Sequence, residues 1–289
     1  MSNSKINNLD ITNAKRPKTK DIAVRDEYGQ IREFPITGEL PLTIFVNKKE
    51  IVTLMTLGHY PESLVIGYLR NQGFIEGLNE LISVHVDWDT NTAAVKTISD
   101  VESWENKLTH KIVTSGCGQG TTFSGVWDEI KNKKIKSDKL KQSTIYTILK
   151  LLHDKNEIYR KSGAVHGCAI CDDKKIIDFV EDVGRHNAVD AIAGNMWLNN
   201  TTSENKIFYT TGRLTSEMVI KVAQMNIPFL VSRSGITEMG LNVAKETGVT
   251  LLGRAKGKHF LIYNGYKNII FDEIPKPRPS KAPDVWERR

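Results

Sequence analysis

The sequence predicts an α/β protein in two parts, a smaller strand-rich α+β lobe followed by a three-layer α/β/α domain. Three observations lead there. After about residue 140, short apolar runs alternate with segments of helical period, the pattern of strands with helices packed on a sheet. Before about residue 135 the apolar runs come in pairs around turn residues, which is how hairpins read. Between them lies the lysine-rich stretch KNKKIKSDKLKQ, Lys131 to Gln142, which places the boundary.

Residues 1–30 carry Lys15, Arg16, Lys18 and Lys20 without a secretory apolar segment and read as a disordered basic tail. In the first lobe, residues 31–135, LPLTIFV and EIVTLMTL flank Asn47, Lys48 and Lys49, and LISVHVDW and TAAVKTI flank Asp89, Thr90 and Asn91. Between these hairpins Pro61 and Gly73 bracket a helix over ESLVIGYLRNQ. In the second domain, residues 140–270, Ser143 caps a long helix running through Tyr159. Strands over AVHGCAIC, KIIDFVED, KIFYTT, PFLVS and VTLLG then alternate with helices from about Asn187, from about Thr215 and from Thr237 to Gly248. In the first of these helices Val189, Ile192, Ala193, Met196 and Trp197 form one stripe that suits a sheet. Residues 271–289 read as a polar tail.

The 289 residues are 39% apolar, enough for one large or two modest cores. No run of eighteen apolar residues predicts a membrane span, and three cysteines, an odd number, suit a reducing compartment; a cytoplasmic protein is expected. The net charge of +6 sits mainly in the N-terminal tail and near Lys131 to Lys141, with no helix-turn-helix, zinc-finger or RNP pattern, so these cations read as solvated segments and no nucleic-acid partner is expected.

Ligands of open α/β sheets gather beyond the carboxyl ends of the strands. Four loops there combine glycine with cations or hydroxyls: Glu181, Asp182, Gly184, Arg185, His186 and Asn187 in the first; Gly212 and Arg213 in the second; Ser232, Arg233 and Ser234 in the third; and Arg254, Ala255, Lys256, Gly257, Lys258 and His259 in the fourth. One such loop alone is ordinarily a tight turn with a surface charge. Four together point to a negatively charged, nucleotide-like ligand. His186 reads either as a general base, with Asp190 one turn on, or as a buried residue orienting its loop.

Cys117 lies between Gly116 and Gly118, in a setting with little packing role, which favours a reactive thiol. Cys168 and Cys171 have metal-ligand spacing, but on an extended strand residues three apart face opposite ways, so they read as small core residues and no metal site is expected.

EDVGRHNAVD, TGRLTSEM with Lys221 behind it, IPFLVSRSGIT and VTLLGRAKGKHFLIY occur in an order that resembles the FdhD family of formate dehydrogenase accessory sulfurtransferases, and PITGELPLTIFVN and GYLRNQGFI extend the resemblance over about Glu33 to Tyr263. It implies a fold like that of the cytidine deaminases. It also implies persulfide transfer from a cysteine desulfurase to the molybdenum bis-molybdopterin guanine dinucleotide of a molybdenum-dependent formate dehydrogenase, with Cys117 as the sulfur carrier and the four loops as the cofactor site. A homodimer stays open. The family pattern C-G-x-C-G is C-G-Q-G-T here, with Gly120 in the second cysteine's place, a departure that does not carry over a dithiol relay, while one cysteine suffices for a linear hand-off. The family's G-F-A-R-G is Gly253-Arg254-Ala255-Lys256-Gly257. A non-catalytic carrier or chaperone of the cofactor is the alternative. Zinc-dependent deamination lacks its glutamate, because His166 is followed by Gly167 and Cys168.

Overall fold

A computed structural model describes residues 9–99, 104, 112–113, 120–121, 127, 130–131 and 134–275. The first part contains β1 (Asp10–Ile11), β2 (Thr19–Arg25), β3 (Ile31–Thr37), β4 (Leu40–Val46), β5 (Lys49–Thr56), α1 (Pro61–Asn71), β6 (Leu81–Asp87), β7 (Thr92–Thr97) and the short strands β8 (Ile112–Val113) and β9 (Gly120–Thr121). The second contains β10 (Leu140–Lys141), α2 (Gln142–Lys155), α3 (Glu157–Ser162), β11 (His166–Cys171), β12 (Ile176–Asp182), α4 (Arg185–Leu198), β13 (Ile207–Thr210), α5 (Ser216–Gln224), β14 (Phe229–Ser232), α6 (Glu238–Thr247), β15 (Thr250–Lys256), β16 (His259–Asn264) and β17 (Ile269–Ile270).

Both expected hairpins form. Asn47 and Lys48 take φ of 46° and 71° in the turn joining β4 to β5, matching the twist of the two strands, and Asn91 takes 54° before β7. The two hairpins, β4 with β5 and β6 with β7, join β1 in a five-stranded sheet ordered β1-β6-β7-β4-β5. The second sheet has six strands in the order β12-β11-β13-β14-β15-β16; β13, β14 and β15 run parallel, and the outer pairs are antiparallel.

Alternation along β11 decides what packs on each face of the second sheet. Cys168 and Ile170 join the cluster containing Val189 and Ile192 of α4, Met218 of α5 and Val243 of α6. Ala169 and Cys171 join Ile145, Ile148 and Leu149 of α2. The two cysteines thus face opposite helix layers, as their spacing requires.

The cluster on the α4 side continues into the first sheet through Leu64 and Leu69 of α1 to Leu42, Ile44 and Val84, so one apolar core serves both sheets. Its hinge line is the contact of α1 with α4. Neither Gly67 nor Gly194 has space for a Cβ, because one would overlap the Asp190 carbonyl oxygen and the other the Ser63 carbonyl oxygen. α4 is consequently buried on nearly its whole circumference, not along a single stripe.

Two expectations are corrected. Within the stretch read as a disordered tail, Asp10–Ile11 pairs with β6 and Thr19–Arg25 pairs with β3, since Ile11, Ile22 and Val24 supply the alternation that the surrounding cations obscure. The helix expected from Ser143 to Tyr159 starts at Gln142 and breaks at Asn156, whose side chain donates to Leu152 O at 2.6 Å; Ser143 bonds Asp272 instead of capping.

Candidate functional site

Parallel pairing of β13 with β14, Ile207 opposite Phe229 through Thr210 opposite Ser232, brings the two following loops side by side. Their backbones are cross-tied. The Ser232 hydroxyl donates to Gly212 O at 2.6 Å and accepts from Ser234 N at 2.9 Å, while Ser234 Oγ donates to Thr211 O at 2.8 Å. Gly212 is small of necessity, because a Cβ there would lie 2.8 Å from Arg185 Cδ. On the far side, Arg254 N donates to Ser234 O at 2.9 Å from a bulged part of β15 with φ of 54°, a left-handed backbone uncommon outside glycine.

These ties frame a cleft of about 560 Å³ beyond the ends of the parallel strands. Arg213, Arg233 and Arg254 line it from three successive strand ends. Thr211, Ser234 and Thr237 add hydroxyls, and no carboxylate is among the described residues lining it. Tyr159 of α3 forms one wall, with the Arg233 guanidinium 5.8 Å from its ring centre. His166, at the start of β11, forms another, its Nδ1 3.5 Å from Thr211 Oγ1. Burial, then the charges of Arg185 and Arg213, hold its imidazole below the usual histidine range. Three guanidiniums, several hydroxyls and one aromatic face are groups whose chemistry suits phosphate oxygens attached to a flat ring.

The Glu181–Asn187 loop lies behind this cleft. Glu181 accepts from Tyr159 N at 3.2 Å and so positions α3. The buried Asp182 carboxylate accepts from Thr56 Oγ1 at 2.6 Å, Leu57 N at 3.0 Å, Gly184 N at 3.0 Å and Asn187 Nδ2 at 2.9 Å, fastening the end of β5 to the start of α4. Burial pushes its carboxyl up, and the four donors oppose that shift. Arg185 is buried beneath Gly212. His186 is fully buried with its Nε2 3.2 Å from Glu217. One turn on, Asp190 pairs with Lys221 at 2.6 Å and accepts from Asn71 Nδ2 at 2.7 Å. These polar groups join α1, α4 and α5.

The fourth loop divides. Arg254 reaches the cleft, and Ala255 is buried on the α2 side of the sheet. Lys256 and Gly257 are exposed beyond it, while Lys258 and His259 border a second pocket of about 530 Å³ beside Tyr146, Phe260 and Phe271. Of the side chains expected at the ligand site, Arg213, Arg233, Ser234 and Arg254 therefore meet at the cleft. Tyr159 and Thr237 were not foreseen there, and His166 was weighed only as a zinc ligand. Thr237 carried a sequence signal, since its expected helix start directly follows the SRSG loop; the approach of His166 and Tyr159 to the cleft is a matter of tertiary packing.

Cys117 lies outside the described residues; β8 and β9, with Val113 opposite Gly120, flank the segment 114–119 that contains it. Cys168 and Cys171 are free, buried and unsuited to nucleophilic work, since burial pushes each thiol up to about 12.

The sequence profile of the FdhD/NarQ family matches residues 37–270, which includes all four loops, the cleft and the position of Cys117. The chain belongs to the FdhD/NarQ family. FdhD/NarQ relatives named sulfur carrier protein FdhD include one from Bacillus pumilus, 32% identical over 236 residues that cover 81% of this chain and 90% of the relative, and one from Listeria monocytogenes serotype 4b, 31% identical over 251 residues covering 85% and 96%. The fold is also similar to the crystal structure of a protein from Desulfotalea psychrophila described as a formate dehydrogenase accessory protein, with a TM-score of 0.68, 27% identity, and coverage of 87% of this chain and 98% of that one. No helix among the described residues is long and apolar enough to cross a membrane.

Proposed function

We propose that this chain is a cytoplasmic sulfur carrier for the maturation of formate dehydrogenase, with Cys117 bearing the sulfur and the arginine cleft holding a guanine dinucleotide end of the molybdenum cofactor as cargo. The observation that carries the cargo reading is the set Arg213, Arg233 and Arg254 in a cleft lined by no carboxylate among the described residues. A volume of about 560 Å³ suits one nucleotide-sized end, not the whole dinucleotide cofactor. Arginine forks grip pyrophosphate oxygens, and Tyr159 offers a face to a base. The names of the relatives support the sulfur-carrier role. The helices on both faces of the second sheet suit the deaminase-type layering that belongs to this reading.

Sulfur arrives by exchange. The Cys117 thiolate attacks the outer sulfur of a desulfurase cysteine persulfide; a new S–S bond forms, the old one breaks, and the desulfurase cysteine leaves as thiolate. An acceptor that attacks the outer sulfur of the Cys117 persulfide takes that atom and leaves the bonding electron pair on Cys117. The test is intact-protein mass spectrometry after incubation with a cysteine desulfurase and cysteine. The wild type gains one reductant-labile sulfur atom and Cys117→Ala gains none. Absence of the adduct from both proteins, with guanine dinucleotide binding retained, would leave a cofactor carrier in which Cys117 has no part.

A further inference from the structure

Beyond the three arginines, one titratable side chain faces the cleft from the sheet itself. His166 is half-buried at the first position of β11, and its ring edge is tied to a partner that serves either protonation state. Thr211 Oγ1 accepts from Gly167 N at 3.0 Å and lies 3.5 Å from His166 Nδ1. Its hydroxyl hydrogen can therefore point to a neutral ring nitrogen, or its second lone pair can accept from a protonated one. Thr211 N donates to Gly167 O at 2.9 Å and fixes this geometry. Protonation thus strands no donor at Nδ1 of a ring that lines the cleft.

We infer that His166 takes up a proton when a phosphate-bearing ligand fills the cleft, so that ligand binding is proton-coupled and His166 is a specificity-determining contact for anions. This rests on the cleft being the cargo site proposed above. Groups around the ring determine the direction. Burial opposes a positive imidazole, as do Arg185 at the start of α4 and Arg213 after β13. Arg233 and Arg254 line the same cleft, and His186 lies nearby on α4. The nearest acid across the strands, Asp182, is paired with His166 in register on β12, but its carboxylate is held by Thr56, Leu57, Gly184 and Asn187. Glu181 is turned toward Tyr159 N. An empty cleft therefore keeps His166 neutral. An entering pyrophosphate compensates the arginines and adds negative charge beside the ring, which reverses the balance.

The experiment uses the full chain and diguanosine pyrophosphate, whose phosphates each carry one ester and one anhydride link, keep a single strongly acidic hydroxyl and do not titrate near neutrality. Calorimetry in two buffers of different ionisation enthalpy counts protons taken up on binding, and titrations from about pH 6 to about pH 8 follow affinity. For the wild type, uptake approaches one proton and the dissociation constant rises with pH by up to about tenfold per unit. His166→Gln keeps a side-chain donor, takes up none and binds with a flat profile. Binding without proton uptake by the wild type overturns the inference and leaves the cleft assignment standing. No binding at any pH overturns the cleft assignment and the inference with it. The wild-type proton count decides even if His166→Gln fails to fold, and His166→Asn supplies a second non-titrating variant.

Discussion

His186 belongs to the buried frame behind the cleft and does not line it. Burial first, then the charges of Lys221, Arg185 and His166, hold its imidazole down to about 2, so it is neutral in the folded chain at any ordinary pH. Unfolding restores its usual value near 6.5. The folded state therefore keeps this advantage above pH 6.5 and loses it as the pH falls, by at most about 1.4 kcal/mol per unit. Urea unfolding of His186→Gln between pH 7 and 5 should show a shallower decline than the wild type. The neighbouring pair Asp190–Lys221 is wholly buried, so Lys221→Met should cost about 3–5 kcal/mol by leaving a carboxylate unpaired, and Asp190→Asn in the same chain should return part of it; denaturant midpoints measure both. The sequence made the cleft arginines legible because each follows a strand end in company with glycine or serine. At Asp182 and Asn187 it pointed to the ligand, and at His186 it left a general base and a buried orienting residue both open, because a buried polar network and an anion-binding loop draw on the same residue types, and only burial separates them.

At the level of elements, the crossing of α1 and α4 is the most demanding contact. The helices touch backbone to side-chain-free backbone at Gly67 and Gly194, and Arg70 of α1 donates to Ala193 O at 2.8 Å beside them. Gly67→Ala would normally favour a helix, yet here the added methyl meets the Asp190 carbonyl. It should destabilise the protein by about 1–3 kcal/mol or more, seen as a lower Tm, with Gly194→Ala behaving alike. The sequence marked both helices correctly but not their union, since a glycine inside a helix announces close approach without naming the partner. The stripe Val189–Trp197 describes one face of α4; the face toward α1, with Asp190 and Gly194, carries no apolar stripe to mark its burial. The break at Asn156 was equally silent, because apolar spacing continues across it through Ile158.

Across the whole molecule, the alternation of strands and helices after residue 140 and the hairpins before it were readable from periodicity alone. The joining of the two parts was not, because an apolar residue that packs against a distant helix looks the same as one that packs at home. Because one core runs from β4 through α1 and α4 to β11, calorimetry should record a single cooperative unfolding transition, and residues 140–270 expressed alone should expose the α4 face and aggregate. The cleft stands apart from this economy. Its three arginines are solvent-exposed while Ser232 and Asp182, which hold the loops, are buried, so the proposed phosphate contacts and the folding contacts reside in different side chains. At φ of 54°, Arg254 occupies a backbone shape that glycine would adopt more readily. A screen selecting only for heat resistance would therefore favour Arg254→Gly, enriching a variant about 1 kcal/mol more robust from which the proposed grip on phosphate had been bred away unnoticed.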